Sequence, residues 1–349
     1  MLKSTILIFV STTVFASKNE LFDRARKEAE SVPFSDGLMP TLQYWGPTRP
    51  AAKGISASEE SDREPSSLEV PGFTKEGSKR ENQDRLIEFT VSTGRFDAKV
   101  AGVFDGHNGS QASEFIVTHF QRAFLDSIRF YVTLFDSSNN VIVAALSETF
   151  NVIEQRLDHF LTRSDKFQVG SCGLVVAVLG DQIITANAGD SEAWFFPSDE
   201  SAPYRLNERH NADEKEERYR IAREFPGEDV VNLDDKKYRI RGLQVTRSFG
   251  DLFLKKRIRG LEHKNPHNRR YISAEPTLTR ASGNGWVVLA SDGLWDFVKG
   301  DKIQIIEKIV HAQDKTPEKK ARFIVELANR IAAGNAMDDI SVIVLKVGN

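Results

Sequence analysis

One cysteine in 349 residues excludes any disulfide within the chain and any zinc site built on several thiolates. A basic excess is also missing: 47 Lys and Arg stand against 50 Asp and Glu, a formal net charge of -3. Nothing in the overall charge therefore points to nucleic acid or to an acidic membrane. No apolar run approaches the roughly 20 residues that a membrane-spanning helix requires, and no internal repeat is visible. What remains is ordinary globular material, 40% hydrophobic and 28% charged, with ample apolar residues for a large core. The length fits one large domain with an appendage or two ordinary domains. The lone Cys172 lies in the apolar run Gly170-Ser171-Cys172-Gly173-Leu174-Val175-Val176, which favours a small buried residue over a nucleophile.

Met1-Leu2-Lys3 is followed by the apolar run Ile6-Leu7-Ile8-Phe9-Val10 and then by Val14, Phe15 and Ala16. One positive charge, a short apolar stretch and a small residue together read as a secretory signal over 1–16, with a short buried strand or helix as the alternative. The signal places the protein in the secretory pathway or outside the cell. A chain with one cysteine has no disulfide to exploit an oxidising compartment, which argues for the cytoplasm instead. The sole Asn-x-Ser/Thr acceptor is Asn108-Gly109-Ser110. Residues 17–69 show no sustained apolar periodicity and include Ser56-Ala57-Ser58-Glu59-Glu60-Ser61-Asp62, the composition of a polar, disordered arm. The working domain is then 70–349.

Within it, short apolar, β-branched runs predict strands over 86–91, 98–104, 173–179, 182–186, 192–196, 285–290 and 340–347. Gly180-Asp181 between two of them predicts a hairpin. Helical periodicity fits 110–130, 141–161, 302–312 and 317–333. Strands and helices come in pairs rather than alternating singly, so the expected class is α+β and not a doubly wound parallel sheet.

The informative residues are aspartates at the polar ends of these strands. Asp105 ends Gly102-Val103-Phe104-Asp105-Gly106-His107, Asp190 ends Ala186-Asn187-Ala188-Gly189-Asp190-Ser191, and Asp292 ends Leu289-Ala290-Ser291-Asp292-Gly293. Asp338, in Met337-Asp338-Asp339-Ile340, precedes its strand. Any one Asp-Gly is ordinarily a turn. Several carboxylates held at sheet ends, with few histidines and no thiolate pair, suit hard oxygen-binding ions such as Mg2+ or Mn2+.

In order and wording these segments resemble the metal-dependent type 2C (PPM) serine/threonine protein phosphatase family. The resemblance also takes in Gly242-Leu243-Gln244-Val245-Thr246-Arg247-Ser248-Phe249-Gly250-Asp251, Ser273-Ala274-Glu275-Pro276 and Ala290-Ser291-Asp292-Gly293-Leu294-Trp295-Asp296, and runs from about Phe73 to Lys346. It implies a sandwich of two antiparallel β-sheets flanked by pairs of antiparallel helices, with a two-metal centre at one end. It implies hydrolysis of phosphoserine and phosphothreonine in proteins by a metal-activated water. Carried over by motif, Asp105 bridges two Mg2+ or Mn2+ ions, Gly106 offers its carbonyl, Asp292 and Asp338 bind one metal, and Asp190 belongs to a third, weaker site. His107 matches the family's general acid. Phosphoprotein substrates and a monomer are expected.

The first motif, Gly77-Ser78-Lys79-Arg80-Glu81-Asn82-Gln83-Asp84, departs from the commoner pattern. Lys79 stands where many members place an Arg that holds the substrate phosphate, and Lys binds phosphate as a point charge rather than a fork. Arg80, one residue on, is the weaker phosphate ligand. Gln83 replaces a Glu near a metal, and Asp84 follows it as a further metal residue. Asp339 replaces the usual Asn, and Arg209 stands where Asp often precedes His210. Thr246, Arg247 and Asp251 are expected to support the fold. Two rival functions stay open: a pseudophosphatase that binds phosphoproteins without turnover, and a metallohydrolase of small phosphate esters. Residues 255–270 hold seven Lys or Arg and one Glu, either a solvated loop or a docking patch.

Overall fold

The computed structural model describes residues 81–199, 201–234, 236–313, 315–332 and 338–348, and the backbone of 72–75. The expected signal at 1–16, the arm at 17–69, Lys79 and Arg80 lie outside the described residues.

Two five-stranded antiparallel sheets face each other. The first runs β13-β7-β6-β3-β2, from β2 (Arg85–Ser92), β3 (Asp97–Phe104), β6 (Gly173–Leu179), β7 (Gln182–Ala188) and β13 (Thr277–Ser282). The second runs β1-β15-β14-β8-β9, from β1 (Gly72–Lys75), β8 (Glu192–Pro197), β9 (Tyr204–Arg205), β14 (Gly285–Ala290) and β15 (Ile340–Val347).

Side chains alternate across a strand, so a strand covered on both faces divides its residues between two cores. In β6, Leu174, Val176 and Val178 enter the core between the sheets, while Val175, Ala177 and Leu179 face outward into a second core. In β15, Ile343, Leu345 and Val347 point between the sheets, and Ile340, Val342 and Val344 into a third core. The apolar runs in the sequence are nearly continuous for this reason.

Helix pairs close the two outer faces. On the first sheet lie α1 (Gln111–Tyr131) and α2 (Ser138–Arg163). Their buried stripes, Ile116, Phe120, Phe124 and Ile128 on α1 and Leu146, Phe150, Ile153 and Leu157 on α2, recur every three or four residues. On the second sheet, Ile306 and Val310 of α6 (Ile303–His311) and Ile324, Val325 and Ala328 of α7 (Pro317–Ile331) do the same. Thr316 caps α7 by accepting the Lys319 N–H, with Pro317 in the first turn, where its missing N–H costs nothing.

The helices match the expected four closely, and the Gly180-Asp181 hairpin is formed with Leu179 opposite Gln182. The sequence reading missed edge strand β13, whose residues are only half-covered. It also missed an insertion holding α3 (Lys215–Glu224), the hairpin of β10 (Val231–Asp234) and β11 (Lys237–Ile240), and the short α4 (Leu252–Lys255). The insertion has its own small core around Ile221, Ile240, Leu254, Tyr271 and Ile272. Among the described residues no helix is long and apolar enough to cross a membrane.

Leu289 is fully buried between the sheets. Leu289→Ala should cost about 2–5 kcal/mol of unfolding free energy, read as a lower denaturant midpoint at unchanged slope.

Candidate metal centre

Strand register brings the acidic residues to one end of the sandwich. Arg85 pairs with Phe104, which sets Asp84 beside Asp105, and Gly173 pairs with Ala188, which sets Cys172 beside Gly189 and Asp190. On the other sheet Ala290 pairs with both Val342 and Glu192, so Ser291 and Asp292 emerge at the same end. One carboxylate oxygen from each of Asp105, Asp190 and Asp292 lies within 4.8 Å of the others. The α5 turn (Asp292–Trp295) can approach the Asp338-Asp339 loop because Gly293 has no side chain; a Cβ there would lie 2.0 Å from the Asp339 carbonyl oxygen. A Cβ on Gly106 would likewise meet the Gln83 carbonyl oxygen at 2.4 Å. These glycines admit neighbouring backbone rather than only freeing a carbonyl.

The two sheets are stitched at this end. Ser291 Oγ donates to Asp84 Oδ2 at 2.9 Å, and the Gln83 N–H donates to Asp339 Oδ2 at 2.9 Å. The Asp339 N–H donates to Asp338 Oδ1 at 2.9 Å, which fixes Asp338 at the head of β15. With its amide turned to satisfy both neighbours, Gln83 donates to the Gly106 carbonyl at 3.2 Å and accepts from the Gly109 N–H at 3.3 Å. Its side chain therefore braces the Asp105–Gly109 turn. Asp190 is held by the Asn211 amide at 2.7 Å and by the Cys172 thiol at 3.3 Å. Cys172 is thus buried as expected, yet its sulfur touches the acidic cluster, and burial beside Asp190 and Asp105 pushes its thiol well above the usual range.

Like charges dominate the electrostatics. Burial, then Asp84, Asp292, Asp190 and Asp338, push the Asp105 carboxyl well above the ordinary carboxylate range. Asp292 is raised in the same way by burial and then by Asp190 and Asp338. Asp84 is pushed up to about 6, chiefly by burial, with the Ser291 hydrogen bond opposing and Asp339 and Asp338 adding. A partly buried group of oxygen donors with uncompensated negative charge, open enough on the Asp105 and Asp292 side to admit an ion, fits a hard divalent cation.

His107, on β4 (Gly106–His107), stands two residues from Asp105, and its Nε2 meets Asp251 Oδ2 at 2.7 Å. His210 has a structural role: its Nδ1 accepts the Gly189 N–H at 3.3 Å and its Nε2 meets Thr277 Oγ1 at 2.7 Å. Burial and Arg247 push it down to about 3, so the ring is neutral. Arg209 ion-pairs with Glu192 (3.6 Å) and Glu214 (3.9 Å). In the basic stretch, Lys255 and Lys256 are engaged with Glu154 and Asp158 at 2.5 Å each, Lys264 donates to the Arg241 carbonyl, and Arg269 pairs with Glu228. Much of that charge is spent inside the fold.

A raised carboxylate pKa means that the folded, metal-free protein is strained by ionisation. Its contribution to stability is present below the unfolded value near 4 and is lost as pH rises through the folded value. Asp292→Asn should therefore melt a few degrees above the parent in chelator at pH 7, and the gap should shrink toward pH 4. Excess Mn2+ at pH 7 should reverse the order, because it stabilises only the intact carboxylate set. Scanning calorimetry under these conditions reads both.

The family model described as Protein phosphatase 2C matches residues 69–337. Probable protein phosphatase 2C 34 of Oryza sativa subsp. indica is 30% identical over 280 residues, 71% of this chain and 72% of its own length. Probable protein phosphatase 2C 55 of Oryza sativa subsp. japonica is 29% identical over 276 residues, 78% of this chain. The chain spans 64% of the length of that relative and 60% of Probable protein phosphatase 2C 64 of Arabidopsis thaliana. Among solved structures, the serine-threonine phosphatase 2C from Toxoplasma gondii superposes with a TM-score of 0.64 at 20% identity, covering 78% of this chain and 92% of that one. A C. elegans sex determining protein superposes at 0.60 with 21% identity, over 78% of this chain and 63% of its own. With the family's sequence pattern matched over most of its length and the two-sheet fold in place, this chain belongs to the protein phosphatase 2C family.

Proposed function

We propose that the protein hydrolyses phosphoserine and phosphothreonine in proteins, using two Mg2+ or Mn2+ ions with a third, weaker one. The observation that carries this reading is the convergence of Asp105, Asp190 and Asp292 within 4.8 Å, with His107 two residues from Asp105. Asp105, Asp292 and Asp338, with the Gly106 carbonyl and Asp84, would hold the principal pair, and Asp190 the third. When bound, such ions supply Lewis acidity that activates water and offsets charge on the phosphoryl oxygens. The chain itself supplies the rest. Asp84, Asp105, Asp292 and Asp338 hold a fixed anionic cradle, His107 gives a proton to the departing serine or threonine oxygen, and Lys79 binds the phosphate.

The apolar start supports export with cleavage after Ala16. The acceptor motif at the site is compatible with that reading: Asn108 Nδ2 already donates to the Gln168 carbonyl at 2.9 Å, and Ser110 is buried with its Oγ on Glu81. Intact mass from the native source, with loss of 1–16 and no glycan on Asn108, is the expected result; a chain retaining Met1 overturns cleavage.

Turnover of a phosphothreonine peptide and of a small phosphate ester, each with and without Mn2+, tests the activity. The expected result is Mn2+-dependent turnover that favours the peptide and falls to background in chelator or in Asp105→Ala. Peptide binding without turnover identifies a pseudophosphatase, and preference for the small ester a different metallohydrolase. Lys79→Ala should lose about 10²-fold in kcat/KM and Arg80→Ala far less, as a phosphate ligand at Lys79 requires. The reverse order makes Arg80 the phosphate ligand.

A further inference from the structure

Beside the acidic cluster lies a pair of side chains that metal binding does not require. His107 and Asp251 are 144 residues apart in sequence, yet Nε2 and Oδ2 meet at 2.7 Å. A small three-stranded sheet brings them together: β12 (Phe249–Gly250), β5 (Gly170–Ser171) and β4. Its middle residue, Gly170, pairs with His107 on one side and with Gly250 on the other. A Cβ on Gly170 would lie 2.2 Å from Asp251 Oδ2 and 2.5 Å from His107 Nε2. The missing side chain is the space in which the two residues meet.

The local backbone is costly. Asp251 adopts φ +48°, a left-handed conformation uncommon outside glycine. Its N–H is fixed on the Val169 carbonyl at 2.9 Å, and the preceding Gly250 N–H on Glu154 Oε2 at 3.0 Å. The Asp251 carboxylate is fully buried, and among the described residues its sole ion-pair partner is His107. Ser248 Oγ donates to the same oxygen at 2.6 Å, while Oδ1 has no hydrogen-bond partner among the described residues. A buried carboxylate with one oxygen unsatisfied, on strained backbone, persists where the surrounding structure over-determines it, and such features cluster at working sites. A carboxylate can only accept, so it demands the proton on Nε2 and fixes the ring in one orientation.

We propose that Asp251 is the positioning residue for His107: it holds the ring through Nε2–H and leaves Nδ1 as the nitrogen that serves the leaving oxygen. The inference rests on the phosphatase reading above. In the reaction, the water oxygen forms a bond to phosphorus as the ester P–O bond breaks. The electron pair departs on the serine or threonine oxygen, which takes the proton from Nδ1. The proton lost by the attacking water passes to solvent, from which the ring is recharged.

The experiment compares kcat and KM in Mn2+ for a phosphothreonine peptide and for 4-nitrophenyl phosphate, whose leaving group departs without needing a proton. Asp251→Asn should lower kcat for the peptide by roughly 10- to 100-fold at unchanged KM and leave the nitrophenyl ester little affected. Gly170→Ala, which wedges a methyl between the pair, should show the same selectivity. Asp251→Asn combined with His107→Asn should be no slower than His107→Asn alone, since the aspartate acts through the ring. Equal losses on both substrates, or losses that multiply in the double variant, overturn the proposal. If the parent turns over neither substrate in Mn2+, the phosphatase reading fails separately. The ring is then read directly in the unmodified protein by long-range 1H–15N NMR at a pH where His107 is neutral, assigned with His107→Asn. A single Nε2–H tautomer is expected, and an Nδ1–H tautomer overturns the proposal even if the Asp251 and Gly170 variants do not fold.

Discussion

Within 4.8 Å of one another, the carboxylates of Asp105, Asp190 and Asp292 repel at a half-buried end of the sandwich, where water screens them only in part. Asp84 and Asp338 add to the same field. No chain would gather these groups for stability alone, because each raises the cost of ionising the others. The arrangement makes sense as an electrostatic deficit that a divalent cation fills, and the surrounding structure serves to keep that deficit from relaxing. Ser291 on Asp84, the Gln83 N–H on Asp339, and Asn211 with Cys172 on Asp190 hold individual carboxylates in place. The Gln83 side chain lies against Gly106 and Gly109, on the turn that carries Asp105 and His107.

The stiffness behind that restraint comes from the sandwich. Three apolar layers run through the domain, one between the sheets and one under each helix pair, and the central strands contribute to two of them at once. A strand anchored on both faces cannot slide by one residue without turning its whole apolar set the wrong way. The positions of Asp105, Asp190 and Asp292 are therefore set by the packing of β3, β7 and β14. Their carboxylates are displaced only if the core is.

Outside that frame, the insertion supplies what the sheets cannot. Phe249 packs on Phe150 of α2 with ring centroids 4.9 Å apart, and Glu154 of the same helix binds both the Gly250 N–H and Lys255. The segment that delivers Asp251 to His107 is thus tied to the helical layer at several points. Much of the basic stretch that follows takes part in this anchoring: Lys255 pairs with Glu154, Lys256 with Asp158 and Arg269 with Glu228.

How much of this was legible in the chain follows from what is local and what is not. The long strands and the four long helices were readable because alternating or 3.6-residue apolar periodicity is written into consecutive residues. The acidic strand ends were readable because Asp beside Gly at the end of an apolar run is a local pattern, and the family resemblance gave them an order. Edge strand β13, the insertion and the small sheet around Gly170 were not, since half-covered strands and two-residue strands carry almost no periodicity. Asp251 read as a support for the fold because its partner lies 144 residues away. By itself the sequence determined the long elements, the class and the acidic residues at the strand ends; tertiary structure alone decided which side chains meet. The physical reason is that secondary structure follows from neighbours along the chain, whereas the His107–Asp251 bond and the crowding of three carboxylates exist only once strand register and three packed cores bring distant residues within a few ångströms.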